Sequence, residues 1–228
     1  MRLILAMKKD SKTRADKYTV EAACVQVFAK VVASISHEVK NVLAIINENN
    51  GLLEDIILMS ESGQGVPPGH VKSATVAISS QVQRANRIMR NCNRFAHLGD
   101  REIAEEPLAE ILELVAALAQ RQADMKNMTI SVAYHADIRI TGPMLPFASL
   151  MYLLFRAIID AGQSDSTITV SAESFENTIT LKCEAGLSAE ELSPIVESYD
   201  ISILVARLGG VVHISDDLLH MSLARDIV

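Results

Sequence analysis

Apolar residues recur alternately four and three positions apart at Phe28, Val32, Ile35, Val39, Val42, Ile46, Asn49, Leu53 and Ile56, with Asn49 the one polar interruption. This is a heptad seam, and it predicts one long helix over Thr19–Met59. Such a helix is about 60 Å long at a 1.5 Å rise per residue, and it must pair along its seam because it is not stable alone. Residues Glu61 to Gly69 hold three glycines and two adjacent prolines, which predicts a turn. Val71, Thr75, Ile78, Val82, Ala85, Met89, Cys92 and Ala96 then repeat the spacing. They predict a second helix over His70–His97, folded back antiparallel with a weaker seam. Leu43, Ile45, Leu52 and Ile57 widen the apolar stripe of the first helix beyond what one partner covers. Two hairpins associating as a homodimer, a four-helix bundle, would cover it. Asn49 either fixes the register of that bundle or sits where it admits water.

The pattern changes after Gly99–Pro107, a charged, proline-closed stretch read as a connector and domain boundary. It divides the chain into a tail (1–18), a helical hairpin (19–99) and a second domain (107–228). In that domain Leu108–Gln122 reads as an amphipathic helix, Met128–Tyr134 as a strand and Leu145–Ala161 as a strongly apolar helix. Thr167–Glu173 and Thr178–Cys183 form a strand pair around Glu176-Asn177. Ser198–Leu208 is a helix stopped by Gly209-Gly210, and Val211–Ser215 and His220–Ala224 close a hairpin around Asp216-Asp217. Helices on one face of a mixed sheet make an α/β sandwich, so the expected fold class is α plus α/β.

Composition adds limits. The 228 residues suffice for two domains with proper cores, and apolar content is 49%. The net charge of −7 argues against nucleic acid as the main partner. Cys24, Cys92 and Cys183 are far apart, with no zinc spacing, and read as reduced structural thiols of a cytoplasmic protein. Residues 3–7 (LILAM) are too few for a signal peptide, and no stretch of the pattern suggests a membrane span. Lys8, Lys9, Lys12, Arg14 and Lys17 read as a solvated basic tail. His70, His97, His135, His213 and His220 show no ligand spacing with carboxylates or cysteines, so no metal site is expected.

One constellation carries chemistry. With Val32 and Val39 at heptad position a, His37 falls at f and points away from the seam. Asn41 is one turn on, on the same face, and Glu38 is rotated from His37 by about 100°. An imidazole is a good nucleophile near neutral pH, and a carboxylate beside it can fix its tautomer. A solvated surface histidine is the plain alternative. The run Ser36-His37-Glu38-Val39-Lys40-Asn41-Val42-Leu43, followed by Asn50-Gly51-Leu52-Leu53, weighs against it. That run resembles the H-box of two-component sensor histidine kinases. The resemblance implies that His37 accepts a phosphoryl group, with Glu38 its acid/base partner and Asn41 assisting. Val42 stands where the family usually has proline, a change that should only straighten the helix.

The element order of the second domain resembles the ATP-binding (GHKL) domain of the same kinases, with departures. Tyr152–Ala161 looks like the N-box, but Arg156 stands at the place of the asparagine that helps hold Mg2+. Arginine is a permanent cation and cannot ligate a metal. Where an Asp-x-Gly-x-Gly run is expected, the chain reads Cys183-Glu184-Ala185-Gly186-Leu187. About a dozen residues follow where a flexible lid and a second glycine box belong, and an amide cradle for phosphates needs those glycines. Leu208-Gly209-Gly210-Val211 does match the family's ending. The whole resembles the histidine phosphotransferases of the ChpT type, which keep a kinase-like architecture without kinase activity.

The resemblance implies reversible phosphoryl transfer between receiver-domain aspartates through phospho-His37, with Mg2+ supplied by the receiver and no ATP bound. Lys40 would neutralise phosphoryl charge or be a solvated lysine. Ala44, Ile45, Glu48 and Leu52, with Ala77, Gln81 and Arg84, are candidate receiver contacts, and dimer packing competes for the same apolar residues. Three rivals stand: an active kinase with an unorthodox ATP site, a module that only sequesters a receiver, and a phosphatase using Glu38 and Asn41 to position water.

Overall fold

The computed structural model describes residues 14–63, 68–134 and 138–227. Lys8, Lys9, Lys12, the LILAM run and His135 lie outside them. The described residues form two compact units, one within 31–93 and one combining residues 14–30 with those described in 94–227.

The smaller unit is a helical hairpin. α1 (Arg14–Glu61) starts five residues earlier than the seam predicted, and α2 (Pro68–His97) two residues earlier. Pro68 and Gly69 fall in the first turn of α2, where a missing amide hydrogen is no loss. Within the unit, Val31, Ser34, Ile35, Val42 and Ile56 of α1 are buried, as is Ala74 of α2. On α1 the hairpin closes along one half of the seam read from the sequence, Ile35, Val42 and Ile56, with Val31 and Ser34 beside it. On α2 it uses a neighbouring stripe, rotated from the seam by about a quarter turn. Seam residues Val32, Val71, Val82 and Met89 remain exposed, as do Leu43 and Ile57. Part of the apolar seam of each helix is thus left outside a single hairpin. Asn49 is half-buried and donates its amide to the Ile45 carbonyl of its own helix at 2.8 Å.

The larger unit is built on a five-stranded sheet in the order β2-β4-β5-β7-β6. Its strands are β2 (Thr129–Tyr134), β4 (Thr167–Phe175), β5 (Thr178–Glu184), β6 (Val211–Ser215) and β7 (Leu218–Ala224). β2 and β4 pair parallel and the rest antiparallel, so the sheet is mixed, as expected. A parallel pair needs a crossover, and α4 (Met144–Ala161) supplies it. Alternation along the strands decides the faces. Ile168, Val170, Ala172, Ile179, Leu181, Cys183, Val212, Leu219, Met221 and Leu223 are buried on the side of α3 (Leu108–Asp124), α4 and α6 (Tyr199–Arg207). The other face is polar, with Thr180, Lys182, Ser222, His213 and His220. His213 and His220 lie directly opposite each other and stack, ring centroids 4.9 Å apart.

α4 is the core of this unit, apolar almost all round, with Phe147, Leu150, Tyr152, Phe155 and Ile158 fully buried. The Lys126 ammonium donates to the carbonyls of Ile159, Asp160 and Gly162 and so closes its C-terminus. Phe155→Ala should destabilise the domain by about 3–5 kcal/mol through the cavity it leaves, read as a lowered urea midpoint. The first turns of α1 also belong here: Ala23, Cys24 and Val27 are buried, and Phe28 stacks on Phe95 at 6.4 Å. Cys24, Cys92 and Cys183 are all free. Burial pushes the Cys183 thiol up to about 12, as suits a structural residue.

Four readings of the pattern need correction. The supposed connector contains β1 (Ala104–Pro107), which pairs antiparallel with β3 (Arg139–Gly142), a strand the pattern did not announce. Both are only four residues long, too short for a period to stand out in the sequence, and the Arg139–Glu105 pair at 2.6 Å helps join them. α5 (Ala189–Val196) was also unforeseen. The signal was present: Ser188 and Glu191 form a capping box, with Ser188 accepting from the Glu191 amide. The last strand starts at Leu218, because Asp216 and Asp217 at φ 53° and 57° make a two-residue turn. Finally, two helices are long and apolar enough by length and composition to cross a membrane, Val20–Glu61 and Met144–Ala161. The second is the buried core helix just described.

α6 ends as its glycines predict. Gly209 at φ 61° takes the left-handed position, and the Gly210 amide returns to the Val205 carbonyl at 2.9 Å. A Cβ on Gly210 would meet Leu223 Cδ2 at 2.5 Å, so the close helix-to-strand passage also requires glycine there.

Candidate functional site

α1 is continuous through His37, so the imidazole is carried on a rigid rod and is exposed. At about 100° per residue, His37, Asn41, Ala44, Glu48 and Asp55 fall in one file, and all five are exposed. This file is about 150° around the helix from the apolar stripe of exposed Val32 and Leu43 and half-buried Val39 and Ile46. His37 thus lies away from the apolar side of the hairpin.

Glu38 is on the side that faces α2. Its carboxylate is 4.0 Å from the Arg84 guanidinium, and its side chain is only 15% exposed. The sequence placed Glu38 beside the imidazole and Arg84 in a separate contact surface, and the fold brings the two together. A pair this long and partly solvated contributes little. Arg84→Ala is therefore expected to lower stability by at most about 1 kcal/mol, checked by a double-mutant cycle with Glu38→Gln.

Of the other candidates, Lys40 is exposed, three residues from His37. Ile45, Ala77 and Gln81 are half-buried, and Leu52 is 42% exposed. Gln81 Oε1 is buried with no hydrogen-bond partner among the described residues. Ser36 does not enter the site, because its hydroxyl donates back to the Val32 carbonyl at 2.8 Å.

The larger unit holds the positions that the sequence compared with a nucleotide site. Arg156 on α4 lies 3.7 Å from Asp160, one turn on. Burial pushes the Tyr152 phenol up, and the neighbouring Arg156 works against that shift. Between β5 and α5, Ala185 and Leu187 are buried, and Gly186 turns the chain at φ 64°. α5 then lays Leu192, Ile195 and Val196 into the core, next to α4. The Ala189 amide donates to Asp217 at 2.9 Å, tying the start of α5 to the β6–β7 turn. Buried apolar side chains therefore occupy the segment that the sequence comparison set against a glycine-rich run. Among the described residues no three His, Cys, Asp or Glu side chains converge as metal ligands.

No family model and no curated protein matches this sequence. Among solved structures, the catalytic domain of histidine kinase ThkA is similar over 56% of this chain and 100% of its own, at 15% identity and a TM-score of 0.48. The Acinetobacter baumannii histidine kinase AdeS is similar over 83% of this chain and 98% of its own, at 12% identity and a TM-score of 0.47. Histidine kinase ThkA in complex with response regulator protein TrrA is similar over 95% of this chain and 68% of its own, at 16% identity and a TM-score of 0.46.

Proposed function

We propose that this protein is a histidine phosphotransferase: it takes a phosphoryl group from a receiver-domain aspartate onto His37 and passes it to another. One observation carries the reading. His37 is an exposed imidazole on an uninterrupted helix, with Asn41 one turn on in the same file and the half-buried Glu38 drawn to Arg84 beside it. In the forward step an imidazole nitrogen attacks phosphorus, the bond to the aspartate oxygen breaks, and its electron pair stays on the carboxylate. The proton on the other ring nitrogen leaves to Glu38 or to water. Holding the two groups in line supplies most of the acceleration, and the receiver's Mg2+ would neutralise phosphoryl charge together with Lys40.

ATP has no part in this proposal. The buried Ala185, Leu187 and Leu192, with Arg156 at the asparagine's place, favour a relay over a kinase. The working form is a homodimer joined along the exposed stripe of the hairpin. That stripe combines Val32, Leu43 and Ile57 of α1 with Val71, Val82 and Met89 of α2, on the side away from His37. The receiver would then meet the free side.

The test is transfer of labelled phosphate from a panel of phosphorylated receiver domains to the full chain. Acid-labile label on the protein supports the proposal. Label that never leaves any receiver points to sequestration, and label released as inorganic phosphate with no phosphohistidine points to a phosphatase.

A further inference from the structure

The charges of the hairpin unit are sorted along its length. Antiparallel folding brings residues 31–43 beside residues 81–93, and the Glu38–Arg84 pair marks their common level. This half carries Lys40, Arg84, Arg87 and Arg90 against Glu38 alone, a net charge of +3. The half nearer the turn carries Glu48, Glu54, Asp55 and Glu61 against Lys72 alone, a net charge of −3. The exposed side that bears His37 repeats the division. Arg84 and Arg87 lie near the level of His37, while Glu48 and Asp55 follow it on α1, about 16 and 27 Å toward the turn at 1.5 Å per residue.

Helix stability alone does not ask for this arrangement. The helix dipole favours cations within the last turn of α2, where Arg94 and His97 stand, and its effect fades beyond that turn. Arg84 and Arg87 are well before it. α2 also contains no Asp or Glu, so no acidic partner three or four residues away on the same helix explains them.

We infer that this charge polarity orients the docking partner. It fits a protein domain that presents an acidic, phosphorylated carboxylate pocket at the level of His37 and a basic edge toward the hairpin turn. The inference rests on the phosphotransfer reading and adds its direction of approach. Docked this way, both ends of the contact attract; docked in reverse, like charges oppose at both ends. Rim charges of this kind set association rate and register more than final affinity.

The test is the exchange variant Asp55→Lys/Arg87→Glu, which cuts the charge of the two halves from +3 and −3 to +1 and −1 while keeping the net charge, with folding verified by circular dichroism. Its probes are purified receiver domains charged with acetyl phosphate. The second-order rate of transfer to the variant should fall about tenfold at about 50 mM salt. It should return to within about twofold of wild type at about 500 mM salt, where exposed charges are screened. A rate that is unchanged at low salt, or lowered equally at both salts, overturns the orienting role while transfer through His37 stands. Absence of transfer to wild-type protein from every receiver overturns both the inference and the reading beneath it.

Discussion

His37→Gln is expected to abolish acid-labile phosphorylation completely while leaving the protein folded. Glutamine keeps a polar side chain of similar reach but has no nucleophilic ring nitrogen. The position is exposed on a continuous helix, and glutamine is a good helix former, so stability should stay within about 0.5 kcal/mol of wild type. Loss of label with an unchanged melting curve would therefore be a chemical loss. Label persisting on the variant would move the acceptor elsewhere. Of the remaining described histidines, exposed His70 would be the first alternative, since His213 and His220 are stacked on each other on the sheet and the His97 ring is 2.7 Å from the Asp100 carboxylate.

The second large effect concerns assembly. Leu43→Glu/Val82→Glu should convert the proposed dimer into a folded monomer, measured by sedimentation equilibrium. Both residues are exposed in the single chain, at 52% and 45%, so neither substitution disturbs the hairpin's own packing. In a symmetric dimer each would be buried twice without a partner. Even about 3 kcal/mol from buried unpaired charge weakens association by roughly 100-fold, and four such sites should exceed that. A variant that sediments as wild type would mean that the stripe is not the dimer contact. Val32, Leu43, Ile57, Val71, Val82 and Met89, the row that such a dimer would cover, are all exposed in the single chain.

Much of the fold was legible because its signals are local. The four–three spacing announced both long helices, and the Gly209-Gly210 and Asp216-Asp217 turns were read from residue type alone. α4 declared itself by an apolar run too long for a strand. β1 and β3 were hidden because a four-residue strand is too short for a period to stand out, and its pairing partner lies more than thirty residues away. α5 was hidden for another reason. Its eight residues include Pro194, and its capping box sat in a segment read only for the glycines it lacks.

The sequence by itself singled out the residues of the candidate site. His37 and Asn41 share a face because they are four apart on one helix, and that needs no tertiary contact. It also determined that the second domain lacks the glycines of a phosphate cradle. Only the tertiary structure decided which edge of the apolar seam closes the hairpin, since a stripe this wide can bury either edge. The tertiary structure alone drew Glu38 to Arg84 and filled the segment after β5 with Leu187 and Leu192. It also turned scattered charges into a polarity, because arginines some fifty residues from His37 in sequence reach its level only when α2 folds back antiparallel. Periodicity fixes where a side chain points on its own helix; what it faces depends on which other face is buried against it.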